Sequence, residues 1–176
     1  MARDPDNVKI WKDARVYVSD AVTRPALPTD IDTALAVGWV ETGILDGDAG
    51  LPEDRSLAES KHYGWGLGLI KFGSKNFEVA RKMTLLEDNA ETRKLITPGS
   101  TATKVPMPKP VYRWLCFETD SDLEDRERLF TTKRARLWVP SNGRTESDPT
   151  KWEVQIAIFA DGAGDIFDRQ AGDLAA

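Results

Sequence analysis

Apolar residues recur at every second position through most of the chain. The cleanest case is 151–159 (KWEVQIAIF), where Trp152, Val154, Ile156 and Ile158 share one parity and Lys151, Glu153 and Gln155 the other. That period belongs to a strand buried on one face. In 7–19 (NVKIWKDARVYVS), Val8, Ile10, Ala14, Val16 and Val18 alternate with Lys12 as the exception, opposite a mixed face of Trp11, Asp13, Arg15 and Tyr17. Strand character returns at 38–45, after the proline-rich TRPALPTDIDTALAVGW, and again from Ser56. In that last stretch Phe77, Val79, Met83 and Leu85 share a parity broken by Arg81, and 72–75 (FGSK) reads as a turn. Further strands are expected at 111–118 (VYRWLCFE) and 129–139 (LFTTKRARLWV), separated by the charged SDLEDRE and followed by a Ser141-Asn142-Gly143 turn signal.

One helix is predicted, over 88–96 (DNAETRKLI). Asp88 is placed to cap it while Glu91 reaches back, and Pro98-Gly99 stops it. Three segments read as irregular. These are the Gly, Asp and Pro-rich loop 45–55 (LDGDAGLPEDR), the proline-rich 97–110 (TPGSTATKVPMPKP) and the turn-rich 161–176, of which 162–176 is expected to be a flexible tail. Seven or eight strands with one helix, and no alternation of helices with strands, predict a mainly-β single domain over 1–176, built as a sandwich or barrel.

The stretch HYGWGLGLI places Gly64, Gly66 and Gly68 at every second position. A dinucleotide loop needs G-x-G-x-x-G between a strand and a helix; this spacing is G-x-G-x-G and β-patterned sequence follows it. Glycines on one parity of a strand leave that face bare for another backbone, with Trp65, Leu67 and Leu69 on the opposite face. The segment is therefore expected to be a subunit-packing strand.

Composition narrows the chemistry. The 176 residues are 40% hydrophobic and 30% charged, as in ordinary globular proteins, and carry a formal charge of −5. That balance opposes tight nucleic-acid binding, which needs a surplus of Lys and Arg on one face. No apolar run is long enough to span a bilayer, and no secretory h-region follows the opening MARDPD. The single cysteine, Cys116, precludes an intramolecular disulfide, and the single histidine, His62, precludes a multi-histidine metal cluster. Neither residue is assigned a role, and nothing in the sequence brings the two together. The acidic runs Asp46-Gly47-Asp48 and 120–127 lack the ligand ladder of a calcium loop and read as solvated. Lys133, Arg134 and Arg136 near Trp138 read as a charged strand face that pairs with acids of a neighbour. The expectation is a protein with no catalytic constellation, cofactor or metal.

The order of elements carries more information than any one motif. ALPTD…AL…GWVETG falls at 26–43, a D-G loop follows, RS…E…KxxG falls at 55–64, and the helix opens on Asn89-Ala90-Glu91. The chain closes with KWEVQIAIF and a D-G-A-G turn. In this order the chain resembles the major tail tube proteins of long, non-contractile-tailed bacteriophages, particularly those of actinobacteria; the 97–110 connection is longer than that family leads one to expect. The resemblance implies a β-sandwich with one short flanking helix that contributes strands to an inner β-barrel in a hexameric ring. Rings stack into a tail tube around the tape measure protein, between tail terminator and distal tail proteins, and double-stranded DNA later passes through without specific binding. It further implies a virion protein made in the host cytoplasm, with no membrane partner. Six copies at −5 each carry −30 per ring, so an acidic channel wall is expected, from which DNA is repelled. In that family the loop corresponding to 45–55 reaches the adjacent ring. Asp46, Asp48, Glu53 and Asp54 are then expected to meet basic residues there and Leu51 to fill an apolar pocket. The alternative is a β-sandwich binding module, such as a virion decoration or a receptor- or carbohydrate-contacting protein; a small β-rich enzyme is a remote third.

Overall fold

The structure, a computed structural model, describes residue 4 and residues 8–123 and 125–172. It is mainly β. The described residues form nine strands, all paired antiparallel, and one short helix: β1 (Trp11–Ser19), β2 (Val40–Glu41), β3 (Glu53–Gly64), β4 (Gly68–Leu85), α1 (Ala90–Ile96), β5 (Val111–Ser121), β6 (Arg126–Thr131), β7 (Ala135–Trp138), β8 (Trp152–Ile158) and β9 (Phe167–Ala171).

The sheet runs β2-β1-β5-β7-β8-β4-β3, with β6 branching from β5 and β9 pairing on β6. β5 is where it divides. Its first residues, Val111 to Arg113, pair with β7, whereas Cys116 to Asp120 pair with β6. The single strand expected over 129–139 is accordingly two, broken at Thr132–Arg134 because the chain changes partners there. The Thr131 hydroxyl, fully buried, accepts from the Leu115 amide at 3.1 Å and donates to the Leu115 carbonyl at 3.4 Å. It satisfies the backbone groups that the branching would leave bare. The charged SDLEDRE expected before this strand instead contributes Arg126 and Glu127 to β6.

Alternation decides which side chains meet. Val16 and Val18, Leu115 and Phe117, Leu137, Val154 and Ile156, and Val79, Met83 and Leu85 join Leu95 and Ile96 in one buried apolar cluster. The opposite parity of β1, β5 and β6 is covered too. Cys116 and Phe130 pack with Trp39 and, less deeply buried, Tyr17, Trp114, Leu27 and Leu35 from the proline-rich segment. That second cluster is why the β1 pattern reads as mixed.

The helix starts one turn signal later than expected. Asn89, not Asp88, is the N-cap; its Oδ1 accepts from the Glu91 and Thr92 amides, each at 2.9 Å. Asp88 pairs with Arg93 and Glu91 with Lys94, so neither makes the expected cap. Asn89 Nδ2 and Thr92 Oγ1 both donate to the Thr42 carbonyl at 3.0 Å, fixing the helix to the chain after β2. Gly43 follows at φ +102°, which ends the strand expected to continue to residue 45; only Val40–Glu41 and a Leu45–Leu85 bridge pair. Within 162–176, expected as a flexible tail, Phe167–Ala171 form β9 against β6; residues 173–176 lie outside the described residues, as does Asn7 of the first expected strand.

Candidate self-association surface

β3 and β4 form a hairpin much longer than the body that supports it. Pairing runs from Glu53–Arg81 to Gly64–Gly68, but β8 covers β4 only from Val79 to Leu85. Residues 57–77 therefore stand clear as a two-stranded arm, none of them buried. The expected turn at 72–75 is absent, since these residues lie inside β4. The turn falls at 65–67 instead. This corrects the reading of the glycine run as one packing strand. Gly64 ends β3, Gly68 begins β4, and Trp65 and Gly66 are the hairpin tip. Gly66 and Gly68 have φ of +72° and +74°, and a Cβ on either would meet nothing. Turn geometry, not a close neighbour, calls for glycine there.

The arm has two different faces. Cross-strand pairs place Ala58 with Lys75, Ser60 with Gly73 and His62 with Lys71 on one side, a small and polar surface. The other side continues the core-facing parity of Val79 and carries Leu57, Phe77, Phe72, Leu69 and Tyr63, interrupted by the Glu59–Ser74 pair and by Lys61. A bulge at Asn76, φ +55°, keeps Phe77 and Phe72 together on it despite their odd spacing. Lys61 lies 5.6 Å from the Phe72 ring centroid. Leu57, Tyr63, Phe72 and Phe77 are all about half exposed or more, and Trp65 at the tip is 103% exposed, touching nothing. An apolar ribbon face of this length is an interaction surface or an aggregation hazard.

At the foot of the arm the body opens into a cleft of about 540 Å³ lined by Trp11, Leu45, Leu51, Phe117, Leu129 and Arg81, among others. The Arg81 guanidinium lies 4.7 Å from the Phe117 centroid and 5.0 Å from that of Phe167. It also donates to Glu53 Oε2 through Nε and Nη2, at 2.8 and 2.5 Å. That explains the parity break in β4: the charge sits at the edge of the core, paired and stacked on rings. Burial raises the Glu53 carboxyl, but hydrogen bonds from Arg81 and Arg55 outweigh it and hold it below its ordinary value.

The loop expected to reach another ring is one wall of this cleft. It ends at Pro52, because Glu53 to Arg55 already belong to β3. Asp46 is buried and accepts from Lys151 Nζ at 2.6 Å, a bond that holds its carboxyl below its ordinary value. Asp46 and Glu53 thus pair within the chain, whereas Asp48 and Asp54 are exposed. Leu51 is half-buried against the core rather than isolated. His62 is exposed on the arm and Cys116 is fully buried in the body, so the two do not meet.

Of the residues expected to form a basic strand face, Lys133 and Arg134 lie in the break between β6 and β7, and Arg134 donates to the Tyr112 carbonyl at 2.6 Å. Among the described residues no group of three His, Cys, Asp or Glu is placed to hold a metal, and no helix is long and apolar enough to cross a membrane. What sequence reasoning missed is the arm as a unit. Its signal was two alternating runs meeting at a glycine-rich turn, AESKHYG and GLIKFGS. Comparison with protein-family models finds no match, and comparison with curated proteins finds no significant relative.

Proposed function

We propose that this chain is a structural subunit of a phage tail, the major tail tube protein of a long, non-contractile-tailed virion. In this reading the two branches of the sheet are the layers of a β-sandwich. Six copies close into a ring whose inner strands form a barrel, and rings stack around the tape measure protein and later conduct DNA. The observation that carries the proposal is the arm. Its apolar face, over 57–77, has no cover on its own body, and a second subunit supplies one. The mainly-β build with one short helix agrees with the order of motifs, and the outer strands β2 and β3 leave edges that ring closure would pair.

Electron microscopy and light scattering of the purified protein test this, alone and with tape measure protein. Rings or tubes are expected, with subunit interfaces on the order of 2,000 Å² or more. A strict monomer at every concentration under both conditions refutes it. The cleft supports a second reading, a binding module, since its volume falls in the range of about 300–1,000 Å³ of small-molecule sites. A monomer whose cleft binds a ligand would establish that reading instead.

A further inference from the structure

We propose that the hairpin tip, Trp65 with Leu67, inserts into the cleft of a second copy of this chain, joining subunits head to tail. The inference deepens the tube reading and rests on it for the larger assembly. Tip and cleft are complementary in kind. Trp65 is fully exposed at the turn, and Leu67, which leans over Gly64 beside Ile70, is still 78% exposed. The cleft offers Trp11, Leu45, Leu51, Phe117 and Leu129 as walls, with Arg81 at one side. A tryptophan fully buried in such a pocket is the usual anchor of an interface.

The contact has to be in trans. Arg81 lines the cleft and lies 13 residues along β4 from Gly68 at the tip. At about 3.3 Å per residue the tip stands roughly 40 Å from its own cleft. The intervening ladder is paired from Glu53–Arg81 to Gly64–Gly68 and does not fold back. A tip that fills the next copy's cleft leaves that copy's tip open for another, so the contact is heterologous and repeats.

Charge favours a second copy as the occupant. Lys61, Lys71 and Lys75 against Glu59 give 57–77 a formal charge of +2, which leaves the rest of this −5 chain at −7. A basic arm meeting an acidic body is steered together. The loop beside the cleft carries exposed Asp48 and presents Gly47 at the cleft wall. The two segments singled out in the sequence, 45–55 and the glycine run, become the two sides of one contact.

The test uses the full chain. Gly47 lines the cleft and a Cβ there meets no atom within 4 Å, so Gly47→Trp adds bulk at the cleft wall without a clash at its Cβ, and Trp65→Ser removes a fully exposed side chain. Both are expected to abolish tubes while leaving the monomer's thermal unfolding unchanged. In the second arm, Leu67→Cys and Gly47→Cys proteins are mixed and treated with a short bis-maleimide; Cys116, fully buried, stays silent. A heterodimeric product is expected at about tenfold or more above that of Leu67→Cys mixed with a Lys104→Cys control, since docking raises the effective concentration. Tubes of normal length from both blocking variants, with no excess heterodimer, overturn the docking and leave the tube reading standing. Wild-type protein that forms neither rings nor tubes overturns the tube reading, and the cysteine mixture then decides the docking alone.

Discussion

Excising the arm should leave the body at least as stable as before. Ser56 and Glu78 already face one another across the hairpin, so replacing 57–77 with Asn-Gly joins them through a two-residue turn. None of the 21 removed residues is buried and none belongs to the core cluster. The arm's own ladder supplies little to offset its ordering, because an isolated two-stranded ribbon is marginal in water. At the upper limit, where the whole arm counts as a flexible loop, shortening it about tenfold favours closure by roughly 2 kcal/mol. The expected change thus lies between zero and about 2 kcal/mol of stabilisation, or a rise in Tm between zero and about 8 °C for a body of this size. Urea unfolding followed by tryptophan fluorescence measures the first, with the loss of Trp65 corrected by a Trp65→Ser reference. Assembly, read by light scattering, should disappear. A loss of more than about 2 kcal/mol, or of cooperative unfolding, would mean the arm packs on its own body, and the case for an uncovered face would fail.

Gly43→Ala should cost about 2–4 kcal/mol in urea unfolding. Its φ is +102°, and a Cβ would stand 2.5 Å from Asn89 Nδ2 and 2.6 Å from Glu87 Oε2, disturbing the residue that caps α1; an unchanged midpoint would show that the 42–43 node is not what fixes the helix. The Cys116 thiol, pushed up to about 12 chiefly by burial, should resist a thiol probe at pH 8 in the native protein and react once unfolded. Labelling at the rate of a free thiol would place it at the surface. Stability should fall in acid. The hydrogen bond from Arg126 holds the Asp120 carboxyl below its ordinary value of 3.8. Its contribution is therefore complete above the unfolded value and lost as pH falls through the lower folded one. In Asp120→Asn the fall below the ordinary carboxylate value of 3.8 should be shallower; an identical profile would remove this pair from the acid response.

How far the fold was legible depended on how many neighbours each strand has. β8 is central, with β4 and β7 on its flanks and one face on the core, and its alternation places Trp152, Val154, Ile156 and Ile158 inward as the pattern predicts. β1 was found but its faces were ambiguous, because the segment bearing Trp39 covers Tyr17 on the second face while Asp13 and Arg15 share that face. The break between β6 and β7 was invisible because no glycine or proline marks it. What marks it is the buried Thr131 hydroxyl, and a threonine in a strand carries no sign of which backbone it will serve. β9 was missed because five short residues near the end of a turn-rich stretch have no periodicity strong enough to outweigh their setting. The glycine run failed for a different reason. Alternating glycines fit a bare strand face and a turn equally well by period alone, and the deciding information lay in the flanks. The runs before and after the glycines can pair with each other, and a segment that can close on its neighbour needs no distant partner to become a strand. Local closure then leaves the apolar side of the ribbon unspent, which is why the same residues that make the hairpin also leave it incomplete.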